Sequence, residues 1–247
     1  MGKGRWFCLL LVCFFSCKER YPSNNVIIVD IGDLGRAGIG QQVAIINSLA
    51  PKVLLIDVKF LKTKEREGDS LLANALNHAK NLVMVSEIEG FENGSSTRGT
   101  LLTSHRQFIA NAKTGFANAV VDDQKGTISR FCVSQLVEEK IEYHVGVMAA
   151  LAFDSVKAYS FLQKADHIIE IDFVGDLNAF SVVKVNELFE GRFNKDDFRD
   201  KIVIVGSFNS VVDRDIFRIK CPSNRKCIPY MPGVVIVANI IERVLQE

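Results

Sequence analysis

A chain of 247 residues with 48% hydrophobic and 24% charged residues has an ordinary globular composition, long enough for one large domain or two small ones. Its formal net charge is +1 and no stretch gathers the basic residues on one helix or face, which argues against DNA or RNA as a partner.

The first 17 residues differ from the rest. Lys3 and Arg5 precede an apolar run from Trp6 to Phe15, and Ser16 places a small residue before Cys17. Ten apolar residues are too few to cross roughly 30 Å of hydrocarbon as a helix, so the segment reads as a secretory signal rather than a transmembrane anchor. It resembles a bacterial lipoprotein signal with Cys17 as the lipidated residue, although Phe14 stands where such signals favour Leu; an ordinary signal or anchor is the alternative. Residues 18–25 (KERYPSNN) then form a short polar tether.

Val26 to Ile31 is an apolar run closed by Gly32, hence a first buried strand. Gly35, Gly38 and Gly40 follow, and the spacing is not the G-x-G-x-x-G of a dinucleotide site, so they read as turn glycines ahead of a helix from Gln41 to Leu49. Val53 to Val58 is a second strand, with Asp57 at its end. Two strands that each end near an Asp, Asp30 and Asp57, and lead into helices predict a parallel α/β sheet with an acidic rim where ligands bind. A phosphoacceptor receiver or an acid-dependent phosphotransferase shares this pattern, but a secreted chain would not meet the phosphodonors. Residues 63–69 read as a charged loop, Ser70 to Lys80 as a helix and Leu82 to Val85 as a strand.

Residues 88–103 are polar and rich in Gly and Ser, an exposed excursion. Residues 105–112 carry no clear pattern. Phe116 to Val121 and Ile128 to Val133 read as a hairpin around DDQKGT, so the sheet is mixed. Tyr143 to Phe153 and Ser155 to Lys164 read as helices, 167–173 as a strand, Phe180 to Val183 as another, and Asn186 to Phe189 as a short helix.

The best-specified stretch closes the chain. Ile202, Val203, Ile204 and Val205, stopped by Gly206, form a strand buried on both faces and therefore central in its sheet. Pro232 and Gly233 open a helix whose Val234, Val237, Ile241, Val244 and Leu245 share one face. The 26 residues from Ser207 to Pro232 make an unusually long connection, a length that marks function or disorder. Within it Cys221 and Cys227 could close a local disulfide in an oxidising envelope, while Cys132 reads as a buried thiol.

The order Lys201 to Gly206, Asp213 or Asp215, Pro232-Gly233 and Ala238 resembles the C-terminal half of the CHASE2 domain, a bacterial extracytoplasmic sensory module. Upstream, Val26 to Ile31, Gln41 to Ala50, Lys52 to Phe60, Asp69 to Ala79 and Gly126 to Arg130 follow the family's order. Val237 stands where the family often has a His. The resemblance implies a single sensory domain from residue 26 to 247, and the strand and helix pattern predicts for it an α/β fold with a mixed, mostly parallel sheet flanked by helices. It also implies a stimulus, small molecule or protein, whose effect a separate signalling protein would transmit, since the family's membrane helices would begin where this chain stops.

Catalytic patterns are absent. His78, His105, His144 and His167 are scattered without metal-ligand spacing and read as surface or satisfied core residues. No G-x-S-x-G elbow occurs, and neither a cofactor nor a metal is implied. The competing reading is an envelope α/β hydrolase using Asp30, Asp33, Asp57 and Asp213 with a divalent cation, which requires those carboxylates to converge. For a sensor, the candidate ligand contacts are Asp33, Arg36, Asn209, Asp213 and Arg214, on loop position and polarity.

Overall fold

The computed structural model describes residues 21–92, 99–122, 124–208, 215–221 and 228–246. Its first half alternates strand and helix: β1 (Val26–Asp30), α1 (Arg36–Ser48), β2 (Val53–Ile56), α2 (Arg66–Asn77) and β3 (Leu82–Ile88). Short strands follow: β4 (Leu101–Leu102), β5 (Lys113–Phe116), β6 (Val120–Val121), β7 (Thr127–Cys132), β8 (Ser134–Val137) and β9 (Lys140–Tyr143). The chain then runs through α3 (Val145–Phe153), α4 (Ser155–Lys164), β10 (Ile168–Glu170), β11 (Ser181–Val183) and α5 (Val185–Glu190). It finishes with β12 (Ile202–Gly206), β13 (Ile216–Ile219), β14 (Tyr230–Pro232) and α6 (Gly233–Leu245).

The main sheet has the order β11-β1-β12-β2-β3, with β5 parallel to β3 and β4 antiparallel to it. The contacts β1 with β11, β1 with β12, β12 with β2 and β2 with β3 are all parallel. The last long strand is thus inserted between the first two, at the centre of the sheet. β1, β2 and β12 are buried at every residue, as continuous β-branched and leucine runs require.

Side chains alternate between two cores. Ile27, Val29, Leu54, Ile56, Val203 and Val205 pack on Ile39, Val43 and Ile46 of α1 and on Leu72 and Leu76 of α2. Val26, Ile28, Val53, Leu55, Ile202 and Ile204 pack instead on α3 and α6. The result is three layers, helix, sheet, helix, an α/β fold with a mixed and mostly parallel central sheet. Burying Val234, Val237, Ile241, Val244 and Leu245 on α6 is worth roughly 1.5–3 kcal/mol each before entropy.

Several boundaries differ from the sequence reading, each for a physical reason. α1 begins at Arg36 rather than Gln41, so Gly38 and Gly40 are helical and not turn residues. Gly40 is there for packing: a Cβ at this position would lie 2.9 Å from the Leu71 carbonyl carbon and the Leu72 nitrogen of α2. Gly40→Ala should cost about 1 kcal/mol, an overpacking penalty of roughly 1–3 kcal/mol offset by alanine's better helix propensity. Urea unfolding checks it, and a stabilised variant would show that the helices can separate freely.

The charged residues 63–69 are not wholly a loop, since α2 starts at Arg66 with Glu65 as its N-cap, accepting from the Gly68 amide at 2.7 Å. The hairpin survives as β6 against β7, whereas Lys113 to Phe116 joins the main sheet. Tyr143, expected to open a helix, instead ends β9, in a hairpin with β8, and α3 begins at Val145. Within the long connection, β13 and β14 join β7 and β10 in a second, smaller sheet.

Candidate functional site

All parallel strands of the main sheet end on one side, and there the loops part around a crevice of about 560 Å³. This is the edge at which open α/β sheets accept ligands, and the size suits a small molecule. The lining comes from the residues after β2 (Asp57, Lys59), the end of β3 (Ser86, Glu87), the loop after β5 (Asn118), β7 (Arg130, Phe131), and Ser207 and Asp215 of the long connection. Val234, Val237 and Ile240 of α6 form an apolar wall.

The walls are fixed by backbone contacts. Asn118 accepts from the Ile88 amide at 2.7 Å and donates to the Ile88 carbonyl at 2.9 Å, tying the loop after β5 to the end of β3. Gly115 lets the start of α3 press on β5, since a Cβ there would come within 2.6 Å of the Val145 Cα. On α6, buried Asn239 accepts from the Gly175 amide at 3.2 Å and donates to the Gly175 carbonyl at 2.9 Å. This holds the segment that carries Ile171, another lining residue, against the helix.

His144 is a deeply buried polar group of the lining. It is only 3% exposed, caps α3 by accepting the Gly146 amide on Nδ1 at 3.1 Å, and lies edge-on to Phe116 and Phe131. Because Nδ1 accepts, the ring proton sits on Nε2. Burial pushes its pKa down to about 3, so the imidazole is neutral. Among the described residues, Nε2 has no hydrogen-bond partner, and the ring lines the crevice. Ser86, also on the lining, has a buried hydroxyl with no hydrogen-bond partner.

Asp57 lies deep in the protein yet keeps part of its surface open to the crevice. Desolvation, and then the neighbouring Asp215 carboxylate, push its pKa up to about 6, with Lys59 opposing. Lys59 itself pairs with Glu87, and Arg130 with Asp122 at 2.7 Å. Among the described carboxylates of the lining, Asp57 and Asp215 make no direct ion pair, and Lys59 acts on Asp57 only at longer range.

The remaining expected site residues fall elsewhere. Asp30 is buried at the end of β1, accepting from the Gly32 amide at 3.2 Å, and its pKa is raised mainly by burial, with Asp33 contributing. Asp33 is exposed in the turn after β1. Arg36 is 7% exposed and turned inward, bonded to Asp69 at 3.0 Å and to the Lys62 carbonyl at 2.8 Å, so its charge is engaged inside the fold. Asn209, Asp213, Arg214, Cys17 and Cys227 lie outside the described residues; Cys221, just after β13, is engaged in a disulfide. Cys132 is a free, buried thiol whose pKa burial pushes up to about 11, which disarms it as a nucleophile.

Of the four proposed hydrolase carboxylates, the crevice lining includes Asp57, whereas Asp30 and Asp33 influence each other at the end of β1. No group of three or more His, Cys, Asp or Glu side chains able to hold a metal occurs among the described residues. Nor is any described helix long and apolar enough to cross a membrane.

Neither the characterised proteins nor the solved structures include a match to this chain. The family model of the CHASE2 domain does match, over residues 16–247, and the chain accordingly belongs to the CHASE2 family of extracytoplasmic sensory domains.

Proposed function

We propose that this chain is a sensory domain held on a bacterial envelope membrane by a lipid on Cys17, whose stimulus is a small molecule bound in the crevice at the carboxyl ends of the parallel strands. The observation that carries this reading is the crevice itself: apolar walls, a few convergent polar groups and about 560 Å³ of space at the sheet edge where α/β folds bind ligands. Ser207 and Asp215 line it and bracket the segment that holds Asn209, Asp213 and Arg214, which supports those three as further contacts. Asp33 would contribute from the neighbouring turn. A disulfide between Cys221 and Cys227 would stiffen the same connection. The occupied state would be read by a separate signalling protein of the membrane.

The topological half of the reading is tested by intact mass and membrane fractionation of wild type and Cys17→Ala. The wild type should begin at Cys17, carry acyl mass and sediment with membranes; the variant should lose all three properties. An unprocessed wild-type chain in the cytoplasm would overturn the envelope assignment.

A further inference from the structure

The crevice has a charge pattern that selects among ligands. We propose that it takes a small organic cation, with an ammonium group held between Asp57 and Asp215, an apolar body against Phe131, Val237 and Ile240, and a neutral oxygen reached by the Nε2–H of His144. This deepens the reading of the crevice as the stimulus site and rests on it.

Three independent observations converge. First, the two basic residues on the described lining are already engaged, Lys59 with Glu87 and Arg130 with Asp122, while Asp57 and Asp215 make no direct ion pair among the described residues. Among the described residues of the lining, an anionic ligand would meet this pair with no unengaged cation to receive it. The N-terminus of α6, which carries Gly233 and Val234 on the lining, favours negative charge, but Asp57 already stands beside it: a Cβ on Gly206 would be 3.2 Å from the Asp57 Cβ and 3.0 Å from Val234 Cγ2. Second, His144 is a buried, neutral donor on the lining with one nitrogen spent on the Gly146 amide and the other without a partner among the described residues, and such a group is completed by an acceptor oxygen. Third, the surface between these polar ends is apolar, so a ligand's body can be desolvated there.

The groups that bear on Asp57 are Asp215 and Lys59, and the remaining charges on the lining, Glu87 and Arg130, are paired; His144 stays neutral. An ammonium favours the ionised form of Asp57. With a pKa of about 6, that form rises from about one-tenth at pH 5 to about nine-tenths at pH 7, so cation affinity should tighten about tenfold across this interval.

The test is calorimetric titration of the purified full-length protein with three probes that share one phenol body: tyramine, 3-(4-hydroxyphenyl)propionate and 4-ethylphenol. Tyramine should bind at least tenfold tighter than the propionate, with 4-ethylphenol between them, and should tighten about tenfold from pH 5 to pH 7. Asp57→Asn should weaken tyramine about tenfold and abolish its pH dependence, and Asp215→Asn should reduce its preference over the propionate. Val237→Phe, which fills the apolar wall, should weaken all three probes together, and a thermal melt shows that each variant is folded. Propionate binding as tightly as tyramine, and lost in Val237→Phe, overturns the cation while leaving the crevice as the site. Tyramine binding untouched by both Asp57→Asn and folded Val237→Phe overturns the crevice as well. No heat from millimolar tyramine overturns the proposed ligand class.

Discussion

Asp69→Ala is expected to destabilise the protein by about 3–5 kcal/mol, the range for removing one partner of a buried ion pair and stranding the other charge. The pair is well enclosed: the Arg36 and Asp69 side chains are 7% and 5% exposed and meet at 3.0 Å. Each also has a second task. Asp69 Oδ2 accepts the Lys64 amide at 2.7 Å, Arg36 donates to the Lys62 carbonyl at 2.8 Å, and the guanidinium lies 4.8 Å from the ring centres of both Phe60 and Phe108. With Asp69 gone, a guanidinium wedged between two rings would have no counter-ion. The double variant Arg36→Met/Asp69→Leu should cost far less than the sum of the single changes, because apolar groups of similar volume need no compensation. Urea unfolding measures all three; a loss below about 1 kcal/mol for Asp69→Ala would mean that water reaches the pair. The clamp matters beyond stability, since it anchors residues 62–64, the continuation of the segment that brings Asp57, Lys59 and Leu61 to the crevice.

Arg36 also illustrates what sequence could and could not reveal. The central strands were legible because VIIVD, VLLI and IVIVG are runs that only a strand covered on both faces would bury, and the closing helix because its apolar positions recur at helical spacing. Arg36 looked like a loop residue because Gly35, Gly38 and Gly40 hid the first turns of α1, and a charge after a glycine-rich strand end resembles a ligand contact. Nothing local announces that Asp69, 33 residues away, neutralises it. The crevice was half legible: Asp57 was visible as a carboxylate at a strand end, and the long connection after β12 was marked by its length. His144 was passed over because lone histidines are usually satisfied, and only the fold shows that one of its nitrogens caps α3 and that its ring lines the crevice. Asp57, Glu87, Arg130, His144 and Asp215 come from five separate segments, so their grouping is a property of strand order rather than of any motif. The hairpin of β8 and β9 escaped for another reason: Leu136 and Ile141 pair across it with both side chains exposed, so no buried periodicity marks it.

Asp57→Asn is expected to make the protein more stable at pH 7.5, not less. A carboxyl whose pKa rises from 3.8 to about 6 on folding binds its proton more tightly in the native than in the unfolded state. Stability from this group is thus fully present below pH 3.8 and falls as the pH rises through about 6. Ionising it in the fold would cost on the order of 3 kcal/mol, and water inside the crevice reduces that to roughly 1–2 kcal/mol. Asparagine keeps the shape and removes the charge, so the midpoint of thermal unfolding should rise by roughly 3–6 °C at pH 7.5 in a chain of this size, with the gain gone by pH 4. A variant that is neutral or less stable at pH 7.5, or whose gain persists at pH 4, would show that Asp57 is well solvated in the native state. The sign is informative about function. Natural chains shed destabilising groups easily, and under the proposed cation reading a carboxylate held at a cost beside a second one would be strain that the ligand relieves. A bound ammonium would return to the wild type the stability that Asp57→Asn gains without it, so saturating tyramine should bring the two melting curves together at pH 7.5, and curves that stay apart would separate the strain from ligand binding.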